Sequence, residues 1–513
     1  MIMKNTRLIL YAVFIFFLSY SVAWSETTTT NTIEPTEGKL RLTYEEVTLP
    51  GSEKMGFMGG SLLYDVNDWF AVGAGAYGAL AGQRGGFITL GVAGEVKKDL
   101  FEFLSINAGL FVGAGGGRGG YTLSGGGLML RPHVGLNIKA GKWGNIGVGV
   151  SHISFPDGTI GSTQPYVSYE APFDTLIGEG WLEDGVLNDS AVEQLSSSER
   201  EFAVVYRMYT VPDGVLTDSG TVQSKTLKLM GAEWHRYYGD NFFFKIESEG
   251  AMGGENTGYM QIFMGAGFRF GLTDSTFIKI AGQLGVAGGG DVATAGGFLV
   301  DGSIGLQQYF TDNVFLGVTG GYVKAPGGAF KATSVALQLG YRYGSPNLGE
   351  GNVNLESIAS YNRQHIRLRT VQQTYLKDDP DWRGHHSDLS VQNLGLQADY
   401  FLSQNLYLSG HAIAAYGGMA GAYMKGLVGA GWHQPLFQTP VFIDLEGLIG
   451  AAGGGGLNIQ GGLVYQGNAN LGYQLTDAFS VMGTVGYIKA QKGGFRAKVV
   501  GGSVGYNFTT FGL

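Results

Sequence analysis

Apolar residues recur at every second position in runs of about ten, separated by short polar breaks, along most of this chain. In the run FIKIAGQL, Ile278, Ile280, Gly282 and Leu284 fall on one side and Lys279, Ala281 and Gln283 on the other. VFIDLEGLI sets Ile443, Leu445 and Ile449 against Asp444, Glu446 and Leu448. FFFKIESEG sets Lys245, Glu247 and Glu249 against Ile246, with Ser248 out of pattern. A period of two is the mark of a β-strand whose two faces meet different surroundings. Runs of this kind predict an all-β chain of about 24 antiparallel strands, eight in each of three stretches: 39–170, 201–343 and 354–513.

The three stretches are copies of one unit. Shifted by 165 residues, Val286–Tyr343 lies without a gap on Ala451–Phe508. AGGG recurs at Ala287 and Ala452, Thr311-Asp312 returns as Thr476-Asp477, and GYVKAPGGAFKA returns as GYIKAQKGGFRA. A more diverged copy comes first, with GAGGGRGG at Gly113–Gly120. A fixed long period identifies a duplicated structural block. Tight polar turns such as Asn67-Asp68, Gly239-Asp240 and Thr311-Asp312 follow the second, fourth and sixth strands of a copy, so they share one rim. Glycine-rich or longer links, among them 113–127 and 370–388, occupy the other. An acidic linker (171–200), expected to form a short helix or lid, joins copies one and two, and a short one (344–353) joins copies two and three.

Composition narrows the class. Glycine supplies 89 of 513 residues, charged residues only 15%, and hydrophobic residues 44%. That is too apolar for a disordered chain, and the glycine lacks the strict spacing of collagen. The N-terminus reads as a secretory signal peptide over 1–25: Lys4 and Arg7, then the apolar Leu8–Leu18, then Ala23-Trp24-Ser25. A flexible leader (26–38) follows. Cleavage there leaves a net charge of −11, which disfavours nucleic acid as a partner. No apolar run reaches the ~18 residues a spanning helix needs, but a membrane strand needs only ~9–11. An exported, glycine- and aromatic-rich chain of alternating strands therefore predicts a transmembrane β-barrel, with its apolar face to lipid and its polar face inward.

The last strand, VVGGSVGYNF, closes on Tyr506 and Phe508. It resembles the C-terminal assembly signal of bacterial outer-membrane β-barrel proteins, although the tail Thr509–Leu513 runs past the aromatic that normally ends that signal. The resemblance to this porin-like class implies the outer membrane of a Gram-negative bacterium, contact with its lipid, insertion by the barrel assembly machinery, and passage of small polar solutes. One ring of 24 strands is the favoured closure, and three tandem eight-stranded barrels are the alternative. In the first case Lys245, Glu247, Glu249, Lys279, Gln283, Asp444 and Glu446 are pore-facing candidates of a channel or passive transporter. In the second, filled barrels make a structural or surface-binding protein without conductance. The glycine-rich segments could narrow a pore or only let strands curve.

Candidate chemistry is thin, and the chain reads as neither an enzyme nor a cofactor protein. Ser151 and His152 are neighbours on a strand and face opposite sides. Ser409 and His411 share a face without an evident acid. Asp378, Asp379, Asp381, His385, His386 and Asp388 crowd one loop, but without ligand spacing they read as a solvated loop with no metal. The AGGG runs lack the Gly-Lys-Ser/Thr of a nucleotide cradle.

Overall fold

The computed structural model describes residues 32–33, 35–141, 144–181, 186–187, 195–348, 362–437 and 439–512. The expected signal peptide and most of the leader lie outside the described residues. Strands β1–β8 are Pro35–Thr48, Lys54–Asn67, Phe70–Ala81, Ile88–Phe101, Leu104–Gly116, Leu128–Lys139, Asn145–Ser154 and Gly161–Leu176. Strands β9–β16 are Leu195–Thr210, Thr226–Tyr238, Phe242–Gly253, Met260–Gly271, Thr276–Gly288, Phe298–Tyr309, Val314–Lys324 and Lys331–Leu348. Strands β17–β24 are Asn362–Lys377, Val391–Phe401, Leu406–Gly417, Met424–Pro435, Val441–Gly453, Gln460–Gln474, Phe479–Lys492 and Arg496–Gly512. Every pairing between them is antiparallel, as alternating hairpins require.

The eight strands of each copy close on themselves. β1 pairs with β8, β9 with β16, and β17 with β24, which gives three separate barrels. The structure therefore decides between the two closures in favour of three eight-stranded barrels. Eight tilted strands enclose an interior just wide enough for side chains, so a repeat of this length already removes its own edges. One expected strand is displaced: β17 runs from Asn362 to Lys377, past the expected end at 370, and the expected start at 354 lies outside the described residues. Near its far end Val371 and Tyr375 point inward and are buried, with Gln372 and Thr374 outside. The usual polarity is reversed there, which disguised the strand as loop. The acidic linker also contains strand: β8 runs to Leu176, and Gly178–Glu179 pairs with Phe508 and Thr509 of β24.

Outside, the barrels are apolar. Ile146, Val148, Ile304, Leu339, Leu471 and Val485 are all more than half exposed. Trp69, Phe101, Phe103, Phe270 and Phe310 form an aromatic fringe beside the short turns. Greasy strand faces with aromatics at the rim are the surface of a barrel embedded in lipid. The chain is thus an outer-membrane-type β-barrel protein, and among the described residues no helix is long and apolar enough to cross a membrane.

The three barrels form a ring around a pseudo-threefold axis. β3 of the first packs on β13 and β14 of the second, β11 of the second on β21 and β22 of the third, and β19 of the third on β5 and β6 of the first. The same faces are used at each junction, and the rotation closes. Glycine makes the contact possible. Gly116, Gly288 and Gly453 hold equivalent places, paired with Ile88, Met260 and Met424. A β-carbon added to Gly288 would lie 2.4 Å from Gly85 and Gly86 backbone, on Gly453 2.5 Å from Gly258, and on Gly116 2.8 Å from the Ala422 nitrogen. The glycine-rich segments contribute Leu123, Val292 and Leu457 to the buried clusters of the three barrels, and their glycines have a use beyond strand curvature. They let neighbouring barrels touch through backbone, with Gly85 N–H donating to Ala295 and Gly421 N–H to Gly125 across two junctions. Inside the ring at this rim, Ile88, Met424, Ala114, Ala414 and Leu394 pack with Leu90, Met260 and Ile262.

The opposing turn residues occupy left-handed backbone: Gly86 at φ 79°, Gly258 at φ 88° and, without glycine's freedom, Ala422 at φ 85°. Ala422→Gly should stabilise the folded chain by about 1 kcal/mol, by releasing left-handed strain. Gly288→Val should destabilise it by at least ~1–3 kcal/mol, the scale of overpacking, while Gly302→Val, whose added β-carbon meets nothing within 4 Å, should change little. Urea unfolding of the reconstituted protein measures all three.

Candidate functional site

Inward-facing positions of each barrel build one polar network, and the pore-facing candidates lie in it. In the second barrel Arg207 Nη2 donates to Glu247 at 2.7 Å and its Nε lies 2.9 Å from Glu249. Lys245 Nζ sits 2.8 Å from Glu233 and 2.7 Å from Glu247. Lys279 pairs with Glu201, which also takes His235 Nδ1 at 2.9 Å. Gln283 Nε2 donates to Asp301 at 3.0 Å. In the third barrel Asp444 accepts from Arg367 at 2.6 Å and lies 2.6 Å from His433, while Glu446 pairs with Arg369 and takes Asn468 at 3.0 Å. The first barrel joins Lys39 to Glu95 and Arg131 to Glu45, each at 2.6 Å, and Arg41 to Glu95 and Glu170. Six of the seven candidates are buried, and Lys279 is half-buried. Their side chains lie inside the barrels, on the side opposite the apolar outer face. Their partners, notably Glu201, Arg207, Arg367 and Arg369, stand two or four strands away and were missed because contacts across the barrel are not visible within a single strand.

One comparison shows what the pairing is for. Glu201 and Arg367 are equivalent positions, each opposite the same place on its closing strand, Arg342 and Asn507. Lys279 and Asp444 are equivalent by the 165-residue shift. The second barrel thus pairs Glu201 with Lys279, and the third pairs Arg367 with Asp444. Both signs are exchanged and the pair survives. A filled interior needs neutral pairs, since an uncompensated buried charge is costly, but it does not need a particular sign.

Above this layer the barrels are capped by apolar side chains. Phe57, Tyr77, Phe87, Phe111 and Phe155 fill the first; Tyr209, Tyr259, Phe263 and Phe330 the second; Trp382, Tyr375, Tyr423 and Phe495 the third. Phe87, Tyr259 and Tyr423 are equivalents that precede β4, β12 and β20. At its opposite mouth the third barrel receives Trp181 from the linker between barrels one and two. This ring lies 4.4 Å from Phe401, 5.6 Å from His433 and 6.0 Å from His365, centre to centre. Gly180 fixes the segment, donating its N–H to Asn507 and accepting from Thr509.

The long-loop rim is knit together across barrels. Arg118 meets Asp218 at 2.9 Å, joining the first barrel to the second. Tyr121, in the short helix Gly120–Ser124, stacks edge-on with His386 of the third at 5.0 Å. The crowded acidic loop separates its side chains: Asp378 accepts from Tyr487 and faces Lys498, and Asp379 faces Arg496. Ser151 bonds Glu45 inside its barrel, whereas His152 points outward to Thr163. Ser409 donates to Asp399 at 2.8 Å, an acid the sequence did not reveal, but His411 contacts Gln397 and no bond joins it to Ser409 among the described residues. Tyr506 and Phe508 stack at 5.8 Å on the outward face of β24.

No family model matches this chain, and no curated protein matches it. Among solved structures it is similar to the ferric enterobactin receptor PfeA of Pseudomonas aeruginosa, at 10% identity over 94% of this chain and 82% of the receptor, with a TM-score of 0.27. It is also similar to OpdK of the same organism, at 9% identity, 92% and 99% coverage and TM-score 0.22. OccAB3 of Acinetobacter baumannii gives 11% identity, 93% and 99% coverage and TM-score 0.21.

Two outcomes follow from the networks. Arg207→Met, which strands Glu249 beside Glu247, should cost about 3–5 kcal/mol in unfolding free energy, and adding Glu249→Gln should recover a large part of it. At the rim, slight burial acts to raise the Asp291 pKa, but hydrogen bonds from Ser219 and Thr217 outweigh it and hold the group below its ordinary 3.8. A lowered folded pKa means this stabilisation is present above the unfolded value and disappears as pH falls through the folded one. Hydrogen exchange in 211–225 should therefore rise on acidification below that value, and Asp291→Asn should abolish the dependence.

Proposed function

We propose that this protein is a sealed three-barrel scaffold of the Gram-negative outer membrane, which presents a rigid, continuous surface at its long-loop rim. The observation that carries this reading is the exchanged pair Glu201–Lys279 and Arg367–Asp444. Side chains that keep a neutral pair while swapping signs serve packing, and a selective ion path would hold one sign along its length. The apolar caps support the same reading, because each buries aromatic side chains across the whole lumen of a narrow barrel. Short turns then face the periplasm and the knit loops face outward. Tyr506 and Phe508 are assigned as the assembly signal read by the barrel assembly machinery, with outer-membrane lipid around the apolar faces.

A second reading, a channel or passive transporter for small polar solutes, rests on the polar layer that Lys245, Glu247, Glu249, Lys279, Gln283, Asp444 and Glu446 line. It requires the apolar cap and the ion pairs to open together. Single-channel recording in a planar bilayer separates the two. The sealed scaffold predicts no steps in the wild-type chain and none in Trp181→Ala. Regular conductance steps from the purified wild-type protein would replace the first reading with the second.

A further inference from the structure

The hairpin that joins β23 to β24 gathers positive charge on the outer side of the third barrel. Ile488, Ala490, Phe495 and Ala497 point into the barrel and are buried. Lys489, Arg496 and Lys498 alternate with them, so they point outward, and all three are exposed. Lys489 stands directly opposite Arg496, and Tyr487 opposite Lys498. Lys492, also exposed, ends β23 at the tip of the same hairpin. At this rim the third barrel meets its neighbours through β19, β21 and β22, which leaves this hairpin facing away from both.

The other two copies show that this charge is particular to the third. The 165-residue shift sets Lys324, Gly327, Lys331 and Thr333 against Lys489, Lys492, Arg496 and Lys498. The corresponding residues of the first barrel are Ser154, Asp157, Gly161 and Thr163. Cations at these four places therefore number none, two and four, in a chain whose net charge is −9. Like charges directly opposite one another destabilise a sheet, so the Lys489–Arg496 pair does not serve the fold. Two carboxylates lie near. Asp378 is 3.5 Å from Lys498 and Asp379 3.7 Å from Arg496, long surface contacts of the kind that contribute little. Both carboxylates are also used by their own surroundings, Asp378 accepting from the Tyr487 hydroxyl at 2.9 Å and Asp379 from the Asp381 N–H at 2.9 Å. Lys489 and Lys492 make no ion pair among the described residues.

Height in the membrane decides what meets these charges. Below them on the same outward face are Val485 and Val500, then Val481 and Val504. Phe479, packed on Tyr506 at 5.1 Å, closes this band at the short-turn end. From Phe479 to Tyr487 the strand rises about 30 Å, or ~23 Å of membrane at a tilt of ~40°, close to the height of the apolar band on such barrels. Lys498 stands level with Tyr487, and the other three cations lie just above it, where lipid headgroups begin. We propose that this hairpin binds a multiply phosphorylated lipid headgroup, its phosphates on Lys489, Lys492, Arg496 and Lys498 and its acyl chains along Val485 and Val500. Charge-assisted bonds from ammonium and guanidinium groups to phosphate are strong ones, and bound phosphates relieve the repulsion between Lys489 and Arg496. The apolar strand below the cations selects a lipid over a free anion. The leaflet follows from the reading above that the long loops face outward, and is then the outer one.

Binding of a bisphosphorylated glycolipid to the full chain in mild detergent, followed by native mass spectrometry, tests this. The wild type should bind it, and should bind the same lipid stripped of its phosphates roughly tenfold more weakly or worse, with the preference shrinking as salt rises. Lys489→Gln/Arg496→Gln should weaken binding of the phosphorylated lipid roughly tenfold or more, as expected for two basic residues beside an anionic headgroup. Arg496→Lys keeps the charge and should keep most of the lipid, which separates loss of charge from loss of fold. Equal binding of the two lipids by the wild type would overturn the proposal, as would equal binding of the phosphorylated one by the wild type and the double glutamine variant. Displacement of the lipid by an equal concentration of inorganic phosphate would also overturn it, since the site would then hold a free anion. The chain has no cysteine of its own, so labelling Gln491→Cys in intact cells with a membrane-impermeant maleimide assigns the leaflet separately. Failure of the outward reading therefore shows in the labelling, and failure of the lipid site in the binding.

Discussion

Backbone touching backbone between barrels is the contact on which the architecture depends. Two curved barrels meet along a narrow line, and an ordinary side chain on that line would hold them apart. At Gly116, Gly288 and Gly453 the side chain is missing at the one place where it would collide with the next barrel's turn. The turns themselves need left-handed φ to present their chain flat, and two of the three use glycine for it. Because each barrel gives one face and receives another, the third contact follows from the first two, and a ring results rather than an open row. Apolar side chains then gather on the axis.

The barrels have their own logic, and it is one of neutralisation. Eight strands leave room for side chains and little else. Once Glu201 or Arg367 points inward, the chain must supply an opposite charge within reach, and it does so with Lys279 and with Asp444. Sequence drift can change every member of such a network provided that the partners change together. Aromatic caps on one side of the charged layer keep water from it, which strengthens each pair.

Much of this was legible beforehand. The alternation around Lys279 and Asp444 gave strand, and the 165-residue shift together with the diverged GAGGGRGG stretch gave three copies of eight strands. Closure within each copy was not legible, because a period-two pattern says which side a residue faces and not which strand lies beside its edge. The end of β17 was lost where Val371 and Tyr375 turn apolar side chains into the barrel. Glycine was visible as an excess, but the reason for Gly288 lies in a residue two hundred positions away, Gly86, and nothing local could indicate it. Trp181 was hidden for a similar reason: an acidic linker between two barrels gives no sign that it docks on the third.

Trp181 also shows what covalent fusion permits. Three identical subunits would have to carry any change in triplicate, so a tryptophan stopper would appear at every mouth, whether useful there or not. A chain that strings its subunits together escapes that rule. It can specialise one position and leave its two counterparts alone, and the segment carrying Trp181, which leaves one barrel on its way to another and docks on the third, is a division of labour that a homotrimer could not encode.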